Sequence, residues 1–149
     1  MNSRKAKINS ALQLDNQLCF ALYSASLAMT KAYQPLLADL GLTYPQYLVM
    51  LVVWEEEGMM VSEIGNRLFL DSGTLTPLIK RLELAGLIVR LRDVDDERRV
   101  RVKLTAAGRS LKKKAATVPV CMTSKIGCSP DELLKLNESI RLLRERLIG

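Results

Sequence analysis

The chain contains no histidine. That absence excludes every site built on an imidazole: Ser-His-Asp and Cys-His nucleophiles, HExxH zinc centres and His-ligated haem. Cysteine is scarce. Cys19, Cys121 and Cys128 are odd in number and show no CxxC spacing, so neither a secreted disulfide framework nor a zinc knuckle is expected, and no metal or cofactor is implied. No apolar run approaches the roughly 18 residues of a membrane span. The opening Met1-Asn2-Ser3-Arg4-Lys5-Ala6-Lys7 is polar and basic, unlike the apolar core of a signal peptide, so a cytoplasmic protein without membrane association is expected. Internal repeats and low-complexity segments are also lacking.

What is present is a globular mixture. Of 149 residues, 48% are apolar and 26% charged, which suits one folded domain spanning 1–149. The net charge of +6 is unevenly placed. Between Val61 and Lys114 lie thirteen of the 22 basic residues but only seven of the 16 acidic ones, so this segment holds the whole excess. A neutral frame around a basic centre suits a phosphate-binding surface, although a solvated Lys/Arg face has the same composition.

Periodicity predicts a mostly helical chain with one small β-hairpin. A helix runs from a cap at Asp15 to about Tyr33, where Pro35 interrupts it; Leu36 to Leu40 form a short turn stopped by Gly41. Tyr44-Pro45 opens a strongly apolar helix that reaches Glu55-Glu56-Glu57 and ends at Gly58. Ser62 caps a short helix over Glu63 to Leu68, Phe69-Leu70 turns, and a second helix runs from Asp71 or Ser72 to Ala85, closed by Gly86. This is helix-turn-helix spacing. The second helix turns Leu75, Leu78, Ile79 and Leu82 inward and leaves Ser72, Thr74, Thr76, Lys80 and Arg81 outward, a set suited to base edges and phosphates. Pro77 is tolerable if the regular helix starts near Gly73.

Leu87 to Arg92 and Val100 to Leu104 then read as a hairpin with a charged tip, a wing whose Arg98 and Arg99 can reach a minor groove or the DNA backbone. Asp93 and Asp96 are expected to shape the wing through ion pairs. A helix from Thr105 to about Thr117 is followed by a non-periodic link holding Pro119, Cys121, Gly127 and Cys128. Ser129-Pro130-Asp131-Glu132 opens the last helix, whose Leu133, Leu136, Ile140, Leu143 and Leu147 form a coiled-coil-like seam. The expected architecture is a winged helix-turn-helix over about 59–104, flanked by dimerisation helices over about 14–40 and 105–148.

Several stretches carry a resemblance. Leu75-Thr76-Pro77-Leu78-Ile79-Lys80-Arg81-Leu82-Glu83, Ala85-Gly86-Leu87-Ile88, Asp96-Glu97-Arg98-Arg99 and Leu104-Thr105-Ala106-Ala107-Gly108 resemble the MarR family of winged-helix regulators. Leu14 to Ser24 around Cys19, with Tyr33, Gly41 to Tyr47 and Trp54-Glu55, is similar to its organic hydroperoxide resistance regulators. The resemblance implies a homodimeric repressor of a pseudo-palindromic double-stranded operator, induced by an organic hydroperoxide. It also implies that Cys19 is the reactive thiol, that Tyr33 and Tyr44 contact the thiolate, and that a C-terminal cysteine of the other subunit captures oxidised Cys19.

The residues themselves leave more open. Four residues after the expected cap, Cys19 lies near a helix start, where free N–H groups favour a thiolate, although Asp15 opposes this. A cysteine on an apolar helix is equally a packing residue. Leu18, Phe20, Leu22, Met29, Tyr47 and Met50 are candidate apolar walls for an alkyl chain. For the resolving role Cys121, in the link, comes first because moving a link costs little; Cys128, just before the Ser129 cap, comes second. Two other functions compete: a MarR-type repressor that responds to a small aromatic effector without cysteine chemistry, and a thiol peroxidase, disfavoured by the absence of any CxxC or peroxidase signature. No enzyme is expected.

Overall fold

One helix is buried on nearly every side, and the other elements are laid around it. The computed structural model describes residues 2–149. The central helix is α3 (Tyr44–Glu55), which buries Tyr47, Val49, Met50, Val52, Val53 and Trp54. A helix that is apolar all round has no stable place except a core. Its start is fixed by a capping box: the Thr43 hydroxyl accepts from the Gln46 N–H, and the Gln46 side chain accepts from the Thr43 N–H at 3.0 Å.

Before it come α1 (Asn2–Ala11), a 3-10 turn at Leu14–Asn16, and α2 (Leu18–Ala38). Three sequence expectations change here. Helix α1 was not expected. The cap of α2 is Gln17 rather than Asp15, because Asn16 and Gln17 turn back to donate to the Ser10 and Ala11 carbonyls at 2.8 and 2.6 Å and close the end of α1 instead. Pro35 does not stop α2. It removes one N–H from the last turn, and the helix ends three residues later, where Leu42 N–H reaches Leu37 O and Gly41 takes a left-handed φ of 67°.

The helix-turn-helix is α4 (Val61–Leu68) and α5 (Ser72–Leu84). Ser62 is not the α4 cap. That place belongs to Met60, whose N–H donates to the Glu63 carboxylate at 2.7 Å. Asp71 caps α5 by accepting from Thr74 N–H at 2.8 Å. Pro77 is the sixth residue of α5, beyond the first turn, and leaves the Gly73 carbonyl without its helical donor. Strands β1 (Ile88–Arg92) and β2 (Val100–Leu104) pair antiparallel from Ile88 opposite Leu104 to Arg92 opposite Val100, and Met60 bridges to Arg101 beside them.

The chain closes with α6 (Ala106–Ala115), α7 (Thr117–Ile126) and α8 (Pro130–Ile148). Cys121 therefore lies in a helix and not in a link. The expected non-periodic link after about Thr117 is instead helical: Pro119 falls in the first turn of α7, where its missing N–H costs little, and burial of Val118 and Met122 holds the helix in place. Only residues 127–129, among them Cys128, separate α7 from α8. No helix among the described residues is long and apolar enough to cross a membrane.

The α6 start is pinned to the core. Trp54 Nε1 donates to the Gly108 carbonyl at 2.9 Å, the Thr105 hydroxyl donates to Gly86 O at 2.6 Å and accepts from Gly108 N–H, and a Cβ on Gly108 would collide with the Leu87 carbonyl oxygen. Gly108→Ala is expected to lower stability by about 1–3 kcal/mol through overpacking, read by urea denaturation; an unchanged midpoint would contradict this packing.

Candidate DNA interface and thiol site

The outer face of α5 presents Ser72, Thr74, Lys80 and Arg81 to solvent, while Leu75, Leu78, Ile79 and Leu82 are buried. Thr76 is only half-exposed. It lines, with Ser62, Arg90, Arg98, Arg99 and Val100, a cleft of about 490 Å³ between α5 and the wing. Arg98 and Arg99 are exposed at the wing tip, and the acids beside them shape it. Asp96 accepts from Arg98 N–H at 3.0 Å and sits 3.9 Å from Arg99, and Asp93 lies 3.9 Å from Arg101. Arg101 also donates to Gly58 O at 2.9 Å, tying the hairpin to the end of the loop after α3.

Cys19 is the second residue of α2, exposed, in a first turn whose Gln17 cap supplies no side-chain acceptor. Tyr33 lies fourteen residues further along the same helix, about 21 Å along the axis at 1.5 Å per residue. There it joins Tyr44 and Tyr47, with ring centroids 4.6 and 5.8 Å away. Burial, then the neighbouring Tyr44 and Tyr47, pushes the Tyr33 hydroxyl up to about 12, so it is a proton donor throughout the neutral range. Burial raises Tyr44 and Tyr47 as well. Within one chain the thiol and the tyrosines therefore do not meet.

Nor do the expected walls form one pocket. Tyr47 and Met50 are in the core and Leu22 is half-buried, whereas Leu18, Phe20 and Met29 are exposed on α2. Cys121 is exposed, Cys128 is half-buried, and all three thiols are free. Tyr47 belongs with Tyr33 and Tyr44; the only sequence signal for it was its place three residues after Tyr44, one helical turn away.

Residues 31–115 match the family model described as transcriptional regulator SarA/Rot. The regulator TtmR of Methylorubrum extorquens is 54% identical over 90% of this chain and 69% of its own length. The organic hydroperoxide resistance transcriptional regulator of Bacillus subtilis is 47% identical over 91% of this chain and 92% of its own. The chain is a MarR-family winged-helix regulator of the SarA/Rot type. It is a DNA-binding transcriptional regulator and not an enzyme. Among solved MarR-family structures, reduced AbfR bound to DNA, from a protein of Staphylococcus epidermidis, superposes with a TM-score of 0.77 at 34% identity, covering 94% of this chain and 98% of that one. The same protein in its disulfide-formed state superposes at 0.63, over 95% and 97%. The fold described here thus superposes better on the two DNA-bound AbfR states, reduced at 0.77 and overoxidized at 0.74, than on the disulfide-formed one.

In a MarR-family head the recognition helix and the wing have to keep one mutual angle to engage one stretch of duplex. Arg90 of β1 and Glu83 of α5 hold it. The guanidinium donates to the carboxylate at 3.2 and 3.1 Å, and the Arg90 backbone N–H adds a third bond at 3.0 Å. Neither residue stood out as functional in the sequence, although the period of two in β1 places Arg90 on the same side as buried Ile88. The Arg90 side-chain bond, outweighing the carboxyl's own desolvation, holds Glu83 below its ordinary value near 4.5. A carboxyl depressed in the fold contributes stability that is full above its unfolded value and lost as pH falls through the folded one. Urea denaturation from about pH 7 to 3 is expected to show the wild type losing stability across the acid range, with Glu83→Gln less stable at neutral pH and less steep in acid. Parallel curves would contradict the clamp.

Proposed function

We propose that the protein is a homodimeric repressor that senses organic hydroperoxides through Cys19 and leaves its operator when oxidised. The observation that carries this reading is the separation of an exposed thiol at one end of α2 from a cluster of protonated tyrosines at the other. Two α2 helices crossing antiparallel in a dimer set Cys19 of each chain beside Tyr33 and Tyr44 of the other. Apolar faces without a partner in the chain supply the contact: Leu18, Tyr23 and Leu27 on α2, and Leu136, Ile140 and Leu147 on α8, are all exposed. The two-fold axis then sets the recognition helices about 34–36 Å apart, which matches a pseudo-palindromic operator in double-stranded DNA. Ser72, Thr74, Thr76, Lys80 and Arg81 face the bases and phosphates, with Arg98 and Arg99 in the wing.

The Cys19 thiolate attacks one peroxide oxygen, the O–O bond breaks, and the alkoxide leaves as the alcohol after taking a proton, with the tyrosine hydroxyls donating hydrogen bonds to the charged atoms. The sulfenic acid that results is attacked by a second thiol; an S–S bond forms and water leaves. The preference for Cys121 in that step rested on its lying in a link, and it lies in α7. Cys128, in the three-residue connection to α8, moves at less cost and is the resolving thiol in this reading. Support comes from the name of the Bacillus relative and from the reduced and disulfide-formed states of AbfR.

A second reading has one observation in its favour. A cleft of about 290 Å³ between α3 and the α6–α7 junction, lined by Tyr47, Leu51, Trp54, Glu55, Lys112 and Pro119, offers a mainly apolar, aromatic wall with one cation and one anion at its rim, which suits a small aromatic effector.

A gel shift with DNA from upstream of its own gene, beside a non-reducing gel, separates the two. After a few equivalents of organic hydroperoxide, wild type is expected to lose DNA and form a dimer-sized band. Cys19→Ser is expected to stay bound, and Cys128→Ser to react without cross-linking. Peroxide release by Cys19→Ser would end the redox reading, and a band in Cys128→Ser that vanishes in Cys121→Ser would return the resolving role to Cys121.

A further inference from the structure

Helix α8 buries no residue fully, yet two neighbours near its C-terminal end, Leu143 and Arg144, are half-buried while Leu142 and Glu145 on either side are exposed. For Arg144 a contact with the helix-turn-helix accounts for this. The Arg144 guanidinium carbon sits 4.1 Å from the centre of the Phe69 ring, and its Nε is shielded from solvent with no hydrogen-bond acceptor among the described residues. A charged donor gives up its water without an acceptor only where another interaction holds it, and the face of an aromatic ring is such a partner. Phe69 is itself unusual. It carries a left-handed φ of 56°, alone among the non-glycine residues described, and forms the turn between α4 and α5 two residues before the Asp71 cap. A phenylalanine takes that backbone state only under constraint.

We infer that Arg144 is a positioning residue for operator binding: through Phe69 it sets the angle between the helix-turn-helix head and α8. This rests on the dimeric DNA-binding reading above. Helix α8 starts at Pro130, two residues after Cys128, and Arg144 meets Phe69 about 21 Å further on, so the helix spans from the α7 connection to the base of the recognition helix. With α8 held in the dimer and Phe69 held to α8, the two heads keep the spacing of one DNA turn. Without the contact each head still folds, because Ile64, Leu75 and Ile79 pack it from within, but the spacing loosens.

The test compares a duplex footprinted upstream of its own gene with a duplex carrying one half-site. Arg144→Gln and Phe69→Leu are each expected to weaken binding to the full site about fivefold while leaving the half-site unchanged. The double variant is expected to be no weaker than either single one, and Phe69→Tyr, which keeps the ring face, to match wild type. Equal loss on both duplexes would make Arg144 a direct phosphate contact and overturn the inference, as would additive losses. Amide exchange at Phe69 to Gly73 in DNA-free protein is read on the same variants, with faster exchange expected in Arg144→Gln and Phe69→Leu only; unchanged rates would overturn the inference. If wild type shows no preference for the full site while exchange responds as expected, the operator reading fails and the Arg144–Phe69 contact stands.

Discussion

An unbroken stretch of α-helix separates Cys19 from Tyr33, and most of what the molecule can do follows from that rigidity. A helix rises 1.5 Å per residue whatever its side chains, so fourteen residues keep the thiol and the tyrosine hydroxyls of one chain far beyond hydrogen-bond reach. The tyrosines are anchored against α3 by mutual stacking and burial. The thiol end of α2 is left among exposed leucines and aromatics. In the proposed function a monomer is therefore incomplete on two counts: Cys19 lacks hydroxyl donors, and the apolar faces of α2 and α8 lack cover. A single antiparallel pairing remedies both, which makes dimerisation and peroxide chemistry one structural event in the proposed function.

The DNA-reading head shows the opposite design. It is complete within the chain, with α3 buried behind it, Asp71 capping the recognition helix, and the Glu83–Arg90 clamp fixing the wing. It is tied to the C-terminal helices by the Trp54 and Thr105 bonds at the α6 start, by Arg109 to Glu57 and Lys112 to the Trp54 carbonyl, and by the Arg144 contact at the turn. A rigid head suits a protein that, in the proposed function, releases DNA by changing the distance between heads rather than by unfolding them.

Much of the head was legible in the sequence, because its signals are local. Helical spacing through Leu75, Leu78, Ile79 and Leu82, the Asp71 cap, the β-branched run at Val100 and Val102, and the Ser129-Pro130 start of α8 each act within a few residues. What was not legible depends on tertiary packing. Pro119 and Pro35 look like breaks, yet Pro119 sits in a first turn where a lost N–H costs little, Pro35 removes a single helical bond just before α2 ends, and contacts between α7 and α2 hold both helices in place. The Asp15 cap failed because Asn16 and Gln17 compete for the same turn by capping α1. Tyr33, Tyr44 and Cys19 were given their roles from resemblance, and no local periodicity shows that one unbroken helix keeps the thiol and the tyrosines of a chain apart.

Mixed dimers test the central claim directly. One protomer carries Cys19→Ser; the other carries Tyr33→Phe with Tyr44→Phe. If thiol and tyrosines come from different chains, each mixed dimer holds one intact site, and trapping of the sulfenic acid after a pulse of organic hydroperoxide is expected to proceed at the wild-type rate on half the protomers. A rate no faster than that of the doubly tyrosine-substituted homodimer would contradict it.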